Sequence, residues 1–589
     1  MASGSLLAQT RPSDPRYLDV SELRPGMRGY GLTVMRGMRP ERFDVEVIDV
    51  VHNFRPHADL VLIRPSHPVL EHAGTVGGMS GSPIYINDRL IGAYAYGWEF
   101  GRDPVAGVTP IAQMLAELRR PRRTPPGLMP GSSAPLPIVS EAAERASLDT
   151  LSRRNTAARA PVETAYGSLV PVSTPMSFSG LSRTAFAHLA EALAPLGVTA
   201  LQAAGGGGPA TAPSDAPTRY EAGGALTVRM IQGDISGNAG GTVTWAEGNN
   251  VLAFGHPLAS GGETALPTAI ARVMWILASE RRSFKISEPV RNLGALVQDR
   301  GPAIILDTQS TAPTFPVRVR VIGVEGTPHD DWNVTVAAWR PLAARLTGSV
   351  IETAIEETAS DMGDVAWSVR SRVRLRGRQP VEVTELGSGA EGPRAIRGVA
   401  ANEVIARALD NAFAPVAVEG VDVEVRLRWA REFAFVRSVS LARAEVDPGD
   451  EAELRVSLGR YGQPPEMRVI RVPIGRELAG REVELEVASG SDTVPDLAEP
   501  ESLDDVLRNL QTRYPDDALV VSMKLPGQGV TLRGRVVPNL PSSALDLLRP
   551  GASTDGGEAL QNMRRVVVPI GRVVLGRDRV RLRVREVRR

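Results

Sequence analysis

The stretch Gly77-Gly78-Met79-Ser80-Gly81-Ser82-Pro83 constrains this chain more than any other. Three glycines and a proline in one short run let the backbone take tight or left-handed turns. Apolar residues follow at Ile84-Tyr85-Ile86 and again at Leu90-Ile91-Gly92-Ala93, so the turn is held between short strands. A sharp turn can push a serine hydroxyl outward while gathering neighbouring N–H groups toward one point. Acyl transfer needs that arrangement, an exposed nucleophile beside an oxyanion hole. A plain Gly-Ser-Pro hairpin turn fits the same spacing.

The surroundings are β-rich. Leu32-Thr33-Val34 reads as a short strand, and Phe43-Asp44-Val45-Glu46-Val47-Ile48 alternates with the period of a half-buried one. Leu60-Val61-Leu62-Ile63 is a fully apolar strand, and Gly107-Val108-Thr109-Pro110 leads into a short helix, Ile111 to Leu118. Many short strands with turns between them predict a small barrel or sandwich. Gly78-Met79-Ser80-Gly81-Ser82-Pro83-Ile84, followed by a strand and Arg89-Leu90-Ile91-Gly92-Ala93, resembles the nucleophile motif of the SpoIVB-type serine peptidases. Those are trypsin-like in general design, and the resemblance runs from about Pro25 to Leu118. It implies Ser80 as nucleophile and the backbone N–H groups of Gly78 and Ser80 as oxyanion hole. Met79 stands where a trypsin-like motif has an acid, so the salt bridge that shapes that hole is absent.

Composition excludes several classes. At 589 residues the chain exceeds a single core, and several domains are expected. Its formal net charge is zero, which gives no general nucleic-acid-binding surface. Cysteine is absent, so disulfides, zinc–thiolate sites and thiol nucleophiles are excluded. The seven histidines show no close pair at helical metal-ligand spacing; His67 and His72 merely flank a turn. No metal or organic cofactor is implied. The positive charge is almost all arginine, and only Lys285 and Lys524 could serve a serine–lysine dyad. No apolar run reaches the roughly 18 residues of a membrane-spanning helix. Ser5-Leu6-Leu7-Ala8-Gln9 resembles the tail of a signal peptide lacking its basic and apolar parts. With a family that works outside the cytoplasm, this points to a periplasmic or envelope protein. A disordered cytoplasmic start is the alternative.

The pattern divides the chain into a tail (1–20), a serine-bearing barrel half (21–120), a Pro/Ala/Gly-rich linker with one helix (121–220), a histidine-bearing barrel half (221–345), an α+β connecting region (346–432) and an immunoglobulin-like β-rich region (433–589). The predicted fold is therefore mainly β. Two trypsin-like barrel halves are joined by a long linker, and an immunoglobulin-like sandwich with a few helices follows. Within the linker, Leu181 to Leu196 has helical spacing with Ser182 as cap, and Gly205–Gly208 reads as a flexible break. Thr268 to Arg282 is amphipathic, with Ile270, Val273, Met274 and Leu277 on one face. Gly29–Val47 has a loose echo at Gly301–Val319, two strand–turn–strand units that suggest related half-domains. Val472-Pro473-Ile474-Gly475-Arg476 recurs as Val568-Pro569-Ile570-Gly571-Arg572, which predicts a C-terminal strand pair returning to the sandwich.

Val251-Leu252-Ala253-Phe254 is a strand that runs into Gly255-His256-Pro257. A histidine between Gly and Pro at a strand end is poorly placed for core packing. The family's catalytic histidine also follows an apolar strand in a Gly-His element, so the resemblance implies His256 as general base. A structural loop histidine fits the same place. His256 lies 176 residues after Ser80, whereas the family has histidine first, so the chain reads as circularly permuted. Triad geometry does not depend on chain order. No acid occupies the family's place before the serine, at Ser66-His67-Pro68-Val69-Leu70; Asp299 and Asp234 are the candidates for third member. The reading is a serine endopeptidase acting on protein or peptide substrates; whether it also cuts itself, at the Arg pairs of the linker, is left open by the sequence. The alternative is a catalytically inactive peptidase-like scaffold or envelope binding protein.

Overall fold

The computed structural model describes residues 14–98, 105–120, 151–153, 155–156, 162–164, 167–172, 174–203, 212–280, 283–532, 535–537 and 558–586. The signal-peptide-like start, the Gly205–Gly208 break and the Arg122-Arg123 pair lie outside them. Among the described residues, one compact unit takes Asp14 to Phe315 with Val334–Ser349, and the other takes Pro316–Asn333 with Val350 onward.

The first unit opens with β1 (Arg28–Thr33), β2 (Glu41–Arg55) and β3 (Ala58–Ser66). A short helix, α1 (Pro68–Ala73), precedes β4 (Val76–Gly77), β5 (Pro83–Ile86), β6 (Arg89–Gly97), β7 (Ala106–Pro110) and helix α2 (Ile111–Leu118). The strands run β5-β1-β2-β3-β7-β6, and β6 pairs back onto β5, so six strands close on themselves. Of the two predicted options, the barrel is the one formed, with each strand of the ring paired to a neighbour on both sides over part of its length. The alternation on β2 is what fills it. Phe43, Val45 and Val47 point inward beside Ile84, Ile86, Tyr94 and Met79, while Glu41, Arg42 and Asp44 stay exposed. Each such fully buried side chain contributes roughly 1.5–3 kcal/mol. His67 caps α1 by accepting the Val69 N–H on Nδ1 at 3.2 Å.

The stretch read mainly as linker holds more regular structure than its composition suggests. It contains β8 (Val162–Thr164), β9 (Gly167–Pro171), β10 (Thr174–Ser179), helix α3 (Arg183–Leu193) and β11 (Val198–Gln202). The predicted cap is in place, with Ser182 Oγ accepting the Ala185 N–H. The strands are short and carry no alternation of their own, because they are added to sheets built elsewhere: β9 to β6, and β10 to β13 (Ser236–Glu247).

A second ring follows. It is formed by β12 (Ala225–Gly233), β13, β14 (Asn250–Ala253), β15 (Gly262–Leu277), β16 (Ser283–Arg300) and β17 (Ala303–Asp307). The order β13-β14-β17-β16-β15-β12 closes through β12–β13, again six strands. The amphipathic stretch Thr268–Arg282 is largely strand β15, and its expected single face is divided. Ile270 and Val273 are buried, whereas Met274 and Leu277 are exposed. The four positions share a face only at helical spacing, whereas a strand alternates, and the extra residue Met274, between the Val273–Ser287 and Trp275–Ile286 pairs, turns the side chains after it to the other side. The echo at Gly301–Val319 is also corrected. β17 belongs to the second ring, but β18 (Thr314–Ile322) pairs in parallel with β22 (Val418–Arg428) and forms no hairpin with it. β19 (Asp331–Ala337) extends the first unit's sheet through β12.

The second unit carries part of helix α4 (Ala343–Thr358), β20 (Val365–Leu375), β21 (Val381–Gly389) and helix α5 (Ala400–Leu409), with β18, β22, β20 and β21 in that order in one sheet. Beyond it lie β23 (Phe433–Leu441), β24 (Glu445–Val446), β25 (Glu451–Arg460), β26 (Gln463–Pro473) and β27 (Glu482–Ser489). Helix α6 (Leu503–Gln511) precedes β28 (Ala518–Leu532), β29 (Arg535–Val537), β30 (Glu558–Pro569), β31 (Val573–Leu575) and β32 (Arg577–Val584). These strands make two sheets around one core, with Leu454 and Val456 of β25 buried together with Leu485 and Val487 of β27. The C-terminal strands do return: β31 pairs with β23 and β32 with β27.

Candidate active site

The serine turn sits where β4 gives way to β5. Met79 donates to the Val76 carbonyl (3.2 Å), Ser82 to the Met79 carbonyl (2.9 Å) and Gly81 to the Tyr94 carbonyl (2.8 Å). The two remaining amides of the turn, Gly78 and Ser80, are the pair the sequence reading assigns to the oxyanion. Gly78 and Gly81 both have left-handed backbones, with φ of +88° and +97°. At Gly81 the requirement is absolute, since a Cβ there would lie 1.9 Å from the Thr242 carbonyl oxygen. Met79, in place of the expected acid, is buried in the barrel core, so packing rather than a salt bridge fixes the turn. Ser80 is fully buried, and its Oγ has no hydrogen-bond partner. A buried hydroxyl in that condition costs about 1–3 kcal/mol, and such groups call for an explanation.

Strand β13 clamps this turn from the second ring. Thr242 donates its N–H to the Ser80 carbonyl (2.9 Å) and its hydroxyl to the Gly78 carbonyl (2.9 Å). Thr244 donates its hydroxyl to the Gly81 carbonyl (2.7 Å). The neighbouring strand β14 ends in a tight reversal, where Gly255 donates to the Ala253 carbonyl (2.9 Å) across Phe254. Phe254 has φ +68°, an outlying conformation for a bulky residue that costs of order 1–3 kcal/mol. Gly255 then packs so closely on β6 that a Cβ would lie 2.9 Å from those of Ala93 and Ala95. Thr109 secures it by donating its hydroxyl to the Gly255 carbonyl (2.7 Å).

His256 follows, fully buried. Its Nδ1 lies 2.8 Å from the Pro257 carbonyl oxygen. A carbonyl only accepts, so Nδ1 carries a proton, and in the neutral imidazole Nε2 then holds the lone pair, the tautomer a general base requires. Asp299, also buried, accepts the N–H groups of Leu258 (2.7 Å), Ala259 (2.8 Å) and Gly261 (2.9 Å). The carboxylate therefore ties down the loop that carries the histidine. Asp234 lies in the β12–β13 turn, at the opposite end of that hairpin from Thr242.

Sequence reasoning missed Thr242, Thr244 and the setting of Lys285. The Lys285 side chain is fully buried against Gly78, and Nζ lies 2.6 Å from Thr33 Oγ1 and 3.4 Å from Thr242 Oγ1. Burial pulls its pKa down to about 7. One signal was available: it is one of only two lysines in an arginine-rich chain, set in an apolar strand. Among the described residues no cluster of His, Asp and Glu could hold a metal ion.

No curated protein and no solved structure matches this chain. A family model does match: residues 21–115, which hold the first ring and its serine turn, match the model of the SpoIVB peptidase S55 family.

Proposed function

We propose that the chain is a serine endopeptidase of SpoIVB type in which Ser80 is the nucleophile and His256 the general base. The observation that carries the reading is Ser80 Oγ, buried without a partner in a turn bonded to the strands that lead to His256. Ser80 Oγ attacks the scissile carbonyl carbon and gives its proton to His256 Nε2. The tetrahedral oxyanion is held by the N–H groups of Gly78 and Ser80. As the C–N bond breaks, His256 returns the proton to the leaving amine. Water then attacks the acyl-serine with the same histidine as base. Asp299 acts as a positioning residue through the backbone of the Leu258–Gly261 loop. The Pro257 carbonyl sets the imidazole tautomer.

The test is labelling with a fluorophosphonate probe. Wild type labels, Ser80→Ala does not, and His256→Ala labels at least a hundredfold more slowly. Folded wild type that never labels would point instead to a scaffold that keeps the peptidase fold for binding.

A further inference from the structure

Strand β6 has two edges. One is paired with β7 from Gly92 to Gly97. The other is paired with β5 only as far as the serine turn, where Gly81 and Ser82 bond Tyr94. Past that point the edge is taken by the chain's own β9, running antiparallel. Val172 donates its N–H to the Ala95 carbonyl at 2.8 Å, Pro171 lies opposite Tyr96, and Val170 lies opposite Gly97.

Three segments thus meet at one station on β6. The serine turn is bonded to Tyr94, Gly255 next to His256 packs on Ala95, and Val172 hangs from the Ala95 carbonyl. Val172 is buried in the same core as Met79 and Tyr94. Pro171 is buried too, at a place in the register where its missing N–H breaks no pairing between Val172 and Ala95. Beside the strand lies a cavity of about 620 Å³ whose walls include Gly77, Gly97, Trp98, Val198 and Phe284. It reaches from the base of the serine turn along β9.

Main-chain pairing to a strand edge, with side chains dropping into pockets beside it, is how extended peptides are bound by β-sheets. We propose that Val170-Pro171-Val172 is an internal peptide ligand of β6. It occupies the Ala95–Gly97 edge and keeps Ser80 covered until another extended peptide of apolar–Pro–apolar character displaces it. The inference rests on the reading of Ser80 as nucleophile for its consequence, but not for the binding itself.

Two experiments decide it. In the first, the peptide of residues 167–172, fluorescently labelled, is titrated into Ser80→Ala protein with and without the further changes Val170→Asp and Val172→Asp. The aspartates should expel the strand, and the peptide should then bind at least tenfold more tightly. A peptide with aspartate at both valine positions should not bind. Equal affinity for the two proteins would overturn the proposal. The second experiment covers the case in which the aspartates unfold the protein. Tyr96→Cys with Pro171→Cys, in a chain that has no other cysteine, allows β9 to be locked to β6 by oxidation. Oxidised protein should react with the fluorophosphonate at least tenfold more slowly than the same protein reduced. Equal rates, with labelling still abolished by Ser80→Ala, sink the proposal and leave the serine reading standing. If nothing labels in any form, the serine reading fails, and the peptide titration alone judges the strand.

Discussion

Two side chains at the serine turn are held in states that folding alone does not favour. Ser80 buries a hydroxyl without a partner. Removing the hydroxyl removes an uncompensated desolvation, so Ser80→Ala should raise stability by about 1 kcal/mol while abolishing labelling. A rise in the urea midpoint at unchanged slope is the expected reading, and a fall would mean that the hydroxyl is bonded in solution. Lys285 is the second case. Its pKa is drawn down to about 7 by burial, against an ordinary value of 10.5. Between those values the unfolded chain holds a proton that the folded chain has given up, so stability rises with pH across that interval. Below about pH 7 both states are protonated, and the penalty is complete and constant. Lys285→Met keeps the length of the side chain and removes the titration. After allowance for the lost bonds to Thr33 and Thr242, it should stabilise the protein by roughly 3 kcal/mol at pH 6. It should also flatten the climb in stability from pH 7 to 10.5 that wild type shows. Unfolding midpoints across that range check both statements.

The loop after His256 is an element built around one carboxylate. Three N–H groups converge on Asp299, and two of them share a single oxygen, Oδ2. Asn cannot serve all three, because its NH₂ must face at least one donor. Asp299→Asn should therefore cost about 2–4 kcal/mol and slow fluorophosphonate labelling at least tenfold. Labelling at the wild-type rate would separate the loop from the chemistry. The serine turn and the histidine element were legible in the sequence because both rest on local signals: glycines at positive φ, and a Gly-His-Pro stop after an apolar strand. Asp299 could be named only as one of two acids, since its work is done 38–41 positions away through backbone amides. Thr242 carried no signal, because a threonine in a strand looks the same whether or not it grips a turn 164 residues earlier. β15 misled because Ile270, Val273, Met274 and Leu277 share a face only at helical spacing, whereas the stretch is a strand whose sides alternate and switch again at a bulge. β9 was invisible because it makes sense only beside β6.

At the scale of the molecule, both predicted barrels are present as closed six-stranded rings, although the internal echo that suggested them was not their source. The serine turn and the histidine element, whose Ser80 and His256 lie 176 residues apart in the chain, both belong to the first unit. The β-sandwich strands belong to the other unit, with a core of their own. Chains with separate cores need not unfold in a single step. Calorimetry should show more than one transition, and substitutions in the serine turn should move only one of them. Gly81→Ala is the sharpest choice, because it sets a Cβ against the Thr242 carbonyl and imposes a residue that disfavours the left-handed backbone. It should destabilise the first unit by more than about 3 kcal/mol and lower its transition by several degrees. The transition of the sandwich-bearing unit should stay within a degree of wild type. If both transitions fall together, the units are thermodynamically one body. Damage to the serine turn would then be felt throughout the chain, and the loss of labelling in Gly81→Ala could no longer be assigned to the turn alone.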